Sequence, residues 1–176
     1  MRKTSGFKRF KRTLWAVLLG AALLAAALLA ARGLFPNDYR VTVEAAADRY
    51  GLSRELVYAV IWTESKFEPS AVSSAGAVGL MQLTPDTYAW LCEKRGEEPR
   101  DLFDPKTNID YGCYNLSLLY ARYESDWMAI AAYNAGRARV DEWLAGGLDK
   151  DGIPYKETRR FVTQVEAVKI LYRLLY

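Results

Sequence analysis

The chain has 176 residues, of which 24 are Lys or Arg, 21 are Asp or Glu and none is His, for a formal net charge of +3. This length allows one domain with a short appendage. The absence of histidine excludes Ser-His-Asp and Cys-His nucleophiles and, with only two cysteines, argues against a transition-metal site, so any catalysis depends on carboxylate, Tyr or Lys side chains.

The amino-terminal segment has the pattern of a membrane anchor. Residues 1–13 contain six Lys or Arg and no acidic residue, and residues 14–31 follow without a single charge. As a helix this run is about 27 Å long, close to the hydrocarbon thickness of a bilayer. We therefore predict a cytoplasmic tail over 1–13, a transmembrane anchor over 14–34 and, from the positive-inside rule, an extracytoplasmic domain over 35–176.

A cleaved signal peptide is the alternative, since the run is rich in Ala and Ala31 could precede a cleavage site. We favour the anchor, and hence a single-pass protein of the cell membrane, because the run exceeds the roughly 7–15 residues of a signal core.

Residues 1–34 hold seven basic residues and no acidic one, which leaves 17 basic and 21 acidic residues, a net charge of −4, for the exported part. That charge argues against nucleic-acid binding.

Helix patterns with caps recur through the exported part. The predicted helices run over 41–50 and 52–67, from Pro85 to Gly96, from Pro105 to Tyr123, from Ser125 to Gly136, over 140–144 and over 155–176. No alternating pattern longer than a few residues predicts a strand, so we predict an all-α domain with irregular segments at 68–83, 96–107 and 146–156. Cys92 and Cys113 allow either one disulfide or two buried free thiols.

Glu64 stands on the apolar face of the second predicted helix. Apolar residues precede it by three, four, seven and eight positions: Ile61, Val60, Val57 and Leu56. Because Pro69 ends the helix near Phe67, Glu64 falls in the last turn, where the helix dipole and the apolar neighbours both raise the pKa of a carboxyl group. Glu64 is therefore a candidate general acid; the alternative is an exposed glutamate or one paired with an arginine.

Two other stretches are candidates for ligand binding. The segment EPSAVSSAGAVGLMQLTP, residues 68–85, is long and irregular, and its glycines Gly76 and Gly79 let the backbone approach a ligand closely. Gln82 offers a donor and an acceptor of the kind that sugars need. The stretch AAYNAG ends a helix at 131–136. Taken alone, the first is equally well a surface loop, and the second a core aromatic residue with a C-cap.

Together these stretches resemble the catalytic domain of the lytic transglycosylases related to soluble lytic transglycosylase, a family with a goose-type lysozyme-like fold. The resemblance extends from about residue 39 to residue 174. It is carried, in matching order, by ESKF at 64–67, GLMQLTP at 79–85, AYNAG at 132–136 and IPYKETRRFV at 153–162.

The resemblance implies a catalytic acid at Glu64 and a set of residues that bind the glycan: Ser65, Met81, Gln82, Tyr133, Asn134 and Glu157. It also implies that the hydroxyl of Tyr133 lies near the catalytic carboxyl group. The chain departs from the family pattern at Phe161, where Tyr is usual, and at 137–139, where a Gly-Pro-type turn is frequent.

By resemblance, the expected reaction is cleavage of peptidoglycan between N-acetylmuramic acid and N-acetylglucosamine with formation of a 1,6-anhydro end, without a metal or organic cofactor. The expected partners are glycan strands, the membrane and, from the anchor, a cell-wall assembly complex. Two alternatives stay open, a muramidase that hydrolyses the same bond and a tethered wall-binding scaffold that does not cut it. We expect four tryptophans to lie in the core and assign none to the site: Trp62, Trp90, Trp127 and Trp143.

Overall fold

The computed structural model describes residues 4–123, 125–150 and 152–176. The first helix, α1 (Thr4–Leu34), belongs to a unit that ends at Pro36. Its segment Phe10–Leu34 has a mean hydropathy of 2.4 and is long and apolar enough to cross a bilayer. A signal sequence has the same properties, so the choice between an anchor and a cleaved segment stays a prediction, as do the boundaries over 1–13, 14–34 and 35–176.

The second unit runs from Asn37 to Leu174 and contains all the predicted site residues. Within the described ranges it is helical, with isolated β-bridges inside the irregular segment after Ser65. Its helices are α2 (Arg40–Tyr50), α3 (Arg54–Ser65), α4 (Pro85–Arg95), α5 (Pro105–Arg122), α6 (Asp126–Ala135), α7 (Arg137–Ala145) and α8 (Lys156–Leu175).

Side-chain caps define the starts of three helices, as the sequence predicts. The Ser53 hydroxyl accepts a hydrogen bond from the backbone N–H of Leu56 at 3.3 Å. Thr84 and Asp104 cap α4 and α5 in the same way, with the Thr87 N–H at 3.2 Å and the Thr107 N–H at 2.9 Å.

Helix α5 is the centre of the unit and packs against α2, α4 and α6. Its fully buried Tyr111 lies in an apolar cluster with α4 and the end of the loop before it, completed by Leu83, Tyr88, Leu91 and Cys92. Cys92 and Cys113 are both buried free thiols, so the second of the two alternatives for the cysteines is the one observed.

Two helix ends and one capping hydrogen bond differ clearly from the predictions. Helix α3 ends at Ser65 rather than near Phe67, because Lys66 and Phe67 adopt left-handed backbone angles, with φ of 53° and 68°. Helix α7 begins at Arg137, three residues before its predicted start. Ser125 occupies the N-cap position of α6, but its buried hydroxyl makes no capping hydrogen bond among the described residues.

Candidate active site

Glu64 lies in the last turn of α3, as predicted, and borders a cleft of about 220 Å³. The turn closes where the left-handed Lys66 donates its backbone N–H to the carbonyl oxygen of Trp62 at 3.2 Å. Polar groups from four other regions of the chain line the cleft with Glu64: Ser73, Gln82, Thr84, Thr87, Asn115, Tyr133, Asn134 and Glu157.

The Glu64 carboxyl group is half-buried, and no other group in the described ranges pairs with it. Burial raises its pKa to about 8, and the negative charge of Glu157 across the cleft adds to the rise. The carboxyl group is therefore largely protonated at neutral pH. A protonated carboxyl that faces a solvent-accessible cleft has the properties of a general acid.

The irregular segment after α3 is fixed to the end of that helix through Ser65. Its hydroxyl donates to the carbonyl oxygen of Leu80 at 2.9 Å and lies 3.1 Å from that of Ile61. Ser65 is buried and does not border the cleft. In this structure it positions the wall of the cleft, so its predicted contact with the glycan stays a prediction.

The same segment is fixed to α5 by Asn108, which is fully buried. The Asn108 Oδ1 accepts from the Met81 N–H at 2.7 Å, and its Nδ2 donates to the carbonyl oxygens of Val78 and Leu102 at 3.0 and 2.9 Å. Gly79 crosses directly over this amide with a φ of 79°, and a Cβ there would lie 2.2 Å from Nδ2. The close approach therefore requires glycine.

Met81 and Gln82 follow on this segment and have different surroundings. The Met81 side chain is fully buried against Gly112 of α5, where a Cβ would lie 2.3 Å from the methionine sulfur. Gln82 borders the cleft, although its Nε2 donates to the carbonyl oxygens of Gly79 and Ala71 at 2.9 and 3.1 Å. Met81 thus supports the cleft from behind, and its predicted glycan contact also stays a prediction.

The opposite wall comes from the end of α6 and the start of α8. The Tyr133 hydroxyl donates to the Met81 carbonyl oxygen at 2.7 Å. Burial raises the pKa of Tyr133, and the nearby charge of Glu64 raises it further, so the phenol stays neutral. Asn134 is held by Thr158, whose buried hydroxyl donates to the Asn134 Oδ1 at 2.8 Å.

A second cavity of about 260 Å³ adjoins the cleft and shares Thr87, Asn115 and Tyr133 with it. Trp90, predicted to lie in the core, packs against the apolar cluster of α4 and α5 but also borders this second cavity.

Five of the seven predicted site residues meet at the cleft: Glu64, Gln82, Tyr133, Asn134 and Glu157.

Sequence analysis missed several cleft residues, of which Asn115 is the most buried polar one. The signal that marks Glu64 also marks Asn115, because both are polar residues on an apolar helix face. Among the described residues, no group of three or more Cys, Asp or Glu side chains could hold a metal ion.

Comparisons with known proteins place this geometry in a family. The chain is 36% identical to the soluble lytic murein transglycosylase of Salmonella typhimurium over 69% of its length, and 34% identical to the membrane-bound lytic murein transglycosylase C of Haemophilus influenzae over 78%. It spans only 21% and 40% of those relatives.

Among solved structures, the 70 kDa soluble lytic transglycosylase of Escherichia coli superposes on 96% of the chain with a TM-score of 0.76 at 28% identity, over 29% of its own length. This similarity confirms the predicted all-α, lysozyme-like fold. The family model described as the Transglycosylase SLT domain matches residues 42–155. Since that match covers more than half of the chain, the protein belongs to the SLT transglycosylase domain family.

Proposed function

We propose that the protein is a peptidoglycan lytic transglycosylase in which Glu64 acts first as an acid and then as a base. The observation that carries the proposal is the position of the Glu64 carboxyl group, which borders an open cleft and has no cationic partner among the described residues, so that burial raises its pKa. The murein transglycosylases to which the chain is similar support the substrate class.

In the proposed reaction, Glu64 donates its proton to the glycosidic oxygen between N-acetylmuramic acid and N-acetylglucosamine, and the bond from that oxygen to C1 breaks. The N-acetyl oxygen of the substrate stabilises the electron-poor C1. The Glu64 carboxylate then takes the proton of the C6 hydroxyl group, whose oxygen forms the new bond to C1. The 1,6-anhydro ring forms without water, and the carboxyl group returns to its protonated state.

Hydrolysis by a muramidase is the second candidate, and one observation favours considering it. Glu157 borders the same cleft as Glu64, so a second carboxylate is present that could activate water. Glu68 and Asp86 do not border that cleft; Glu68 is exposed and accepts a hydrogen bond from the Ser70 hydroxyl at 2.6 Å. The hydrolytic candidate therefore depends on Glu157.

A tethered scaffold that binds the wall without cutting it is the third candidate. The protonated Glu64 argues against it, since a binding protein has no use for a general acid. The apolar α1 and the membrane-bound relative are consistent with membrane association. We propose the finer arrangement, a single-pass anchor with the domain outside the cytoplasm and acting on glycan strands near the membrane, beside an assembly complex.

Mass spectrometry of the fragments released from purified peptidoglycan tests these candidates. The full chain in detergent micelles should release fragments with anhydro ends, and Glu64→Gln should reduce the release by about 1,000-fold or more. Glu68→Gln is the matched control, an exposed carboxylate four residues further on, and should be fully active.

Each candidate predicts a different product. Reducing ends, heavier by one water, would replace the transglycosylase with a muramidase. A folded chain that binds glycan but releases nothing would favour the scaffold. Full activity in Glu64→Gln would remove Glu64 from the mechanism.

A further inference from the structure

Asn115 lies on α5 at the border between the cleft and the second cavity, and it lines both. The residue is only 9% exposed. No hydrogen bond within the described part of the chain involves its side-chain amide. The two polar atoms of this amide are not enclosed by protein atoms, so they open onto the cavities, where water or a ligand pairs with them.

Asn108, seven residues earlier on the same face of α5, shows how a structural asparagine behaves in this fold. Both of its polar atoms are used, the oxygen by one backbone N–H and the nitrogen by two carbonyl oxygens. Asn108 thus fixes the segment that forms the cleft wall. Because Asn108 already makes these structural hydrogen bonds, they do not explain why position 115 carries an amide.

The surroundings of Asn115 indicate what its partner is. The second cavity is lined by apolar side chains, among them Leu119 and Ala132, and by the polar residues Asp86, Thr87, Tyr133 and Arg137. An N-acetyl group matches this combination. It presents a carbonyl acceptor and an N–H donor to an asparagine amide, which has one of each, and its methyl group suits apolar neighbours.

We infer that Asn115 is a specificity-determining residue that hydrogen-bonds the N-acetyl group of the sugar in the second cavity. The inference rests on the proposed function, because it takes the ligand to be a glycan of N-acetylated sugars. A ligand without an N-acetyl group would displace water from the Asn115 amide without replacing the lost hydrogen bonds. Asn115 would therefore favour strands of N-acetylated sugars. Its contact is with the bound strand and not with the bond that breaks.

Calorimetric titration of the full chain in detergent micelles tests the inference. The Glu64→Gln variant is the parent, so that the ligand is not consumed, and the ligand is a tetrasaccharide of alternating N-acetylglucosamine and N-acetylmuramic acid. Adding Asn115→Leu or Asn115→Ala should weaken binding by about tenfold. The melting temperature should stay nearly equal, since the substitution breaks no hydrogen bond within the described part of the chain.

Ser117→Ala is the matched control on the same helix, because the Ser117 hydroxyl donates to the Tyr114 carbonyl oxygen at 2.8 Å and does not border either cavity. It should bind as the parent does. Two further tetrasaccharides lack the acetyl groups of one sugar type each. With one of them, the penalty of the Asn115 variants should disappear, because the group that Asn115 contacts is already missing.

The outcomes separate this inference from the proposed function. If the parent does not bind the tetrasaccharide at all, both fail together. Binding by the parent with equal affinity in the Asn115 variants overturns the role of Asn115 alone. Loss of affinity accompanied by a lower melting temperature in both variants would make Asn115 structural. A penalty that persists with both de-acetylated ligands would assign the contact to a sugar hydroxyl and overturn the N-acetyl assignment.

Discussion

Asp110 and Glu64 both border cavities of the helical unit, and their surroundings are opposite. Asp110 lies at a cavity of about 550 Å³, more than twice the volume of the cleft at Glu64. Its Oδ1 accepts from Arg49 at 2.9 Å and from the Tyr50 hydroxyl at 3.1 Å, and its Oδ2 accepts from Arg95 at 2.8 Å. Glu64 has no such partner among the described residues.

The comparison shows that cavity size does not identify the active site of this domain. The larger cavity contains more charged groups, but both of its carboxylates are paired: Asp110 binds two arginines, and Glu97 binds Arg100 at 3.1 Å. Both oxygens of the Asp110 carboxylate accept hydrogen bonds from side chains of the same unit. The smaller cleft keeps a carboxyl group without a cation, and that makes proton transfer possible there.

If the Asp110 network is purely structural, breaking it should reduce stability without changing catalysis. Asp110→Asn should lower the free energy of unfolding by about 3 kcal/mol, because it removes the nearer anion of the Arg95 guanidinium, which is 15% exposed and keeps only Glu97 at 3.5 Å. Denaturant titration and a turnover assay on the same variant measure the two effects.

Asp141→Asn provides the control for that variant. Asp141 pairs with Arg122 on the surface, where the two side chains are 38% and 51% exposed. Such a pair contributes at most about 1 kcal/mol. A loss of turnover in folded Asp110→Asn would break the comparison, since it would bring the larger cavity into the reaction.

At Glu64, in contrast to Asp110, we expect removal of the carboxyl group to increase the stability of the fold. Its pKa is about 8 in the folded chain against an ordinary value of 4.5, so between these pH values the folded state holds a proton that the unfolded state has lost. The stability of the parent should therefore fall as the pH rises from 4.5 to 8 and level off above. Glu64→Gln removes that fall and should be more stable by about 2 kcal/mol at pH 8, with no gain at pH 4.

Denaturant titrations of parent and variant across this pH range check the expectation. Parallel stability curves would show that the Glu64 carboxyl group titrates normally. The comparison with Asp110 would then lose its basis, because the Glu64 carboxyl group would not hold a proton at neutral pH.

Sequence reasoning found Glu64 because a charge on an apolar helix face is visible as a pattern, and the helix limits follow from caps at Ser53, Thr84 and Asp104. It could not show which of two adjacent residues faces the cleft. Glu64 and Ser65 stand side by side in one motif, yet the left-handed turn at Lys66 leaves the first at the cleft and buries the second. That distinction depends on tertiary contacts, here the Leu80 carbonyl oxygen.

Within the cleft, the contribution of the Glu157 charge to the pKa of Glu64 can be tested separately from that of burial. Since this charge helps to raise the pKa of Glu64, Glu157→Gln should lower that pKa and move the alkaline limb of kcat/KM to lower pH by a fraction of a unit. Glu166→Gln is the control on the same helix, because Glu166 pairs with Lys150 and does not border the cleft. An alkaline limb unchanged by Glu157→Gln would mean that burial alone sets the pKa of Glu64.

The smallest expected effect concerns the hydrogen bond that positions Asn134 opposite Glu64. Thr158→Val keeps the shape of the buried side chain but removes the donor to the Asn134 Oδ1. We expect kcat/KM to fall by about three- to tenfold and stability by about 1 kcal/mol, because the amide loses one partner and its fixed orientation. Thr158→Ser keeps the hydroxyl and should restore the rate.

Such a rescue would show that the few hydrogen bonds in the cleft serve orientation, whereas the ion pairs around Asp110 serve stability. If Thr158→Val and Thr158→Ser lose activity equally, packing of the threonine methyl group matters instead. In that case the opposite wall of the cleft would resemble the Asp110 region, where the side chains hold the fold and take no part in binding.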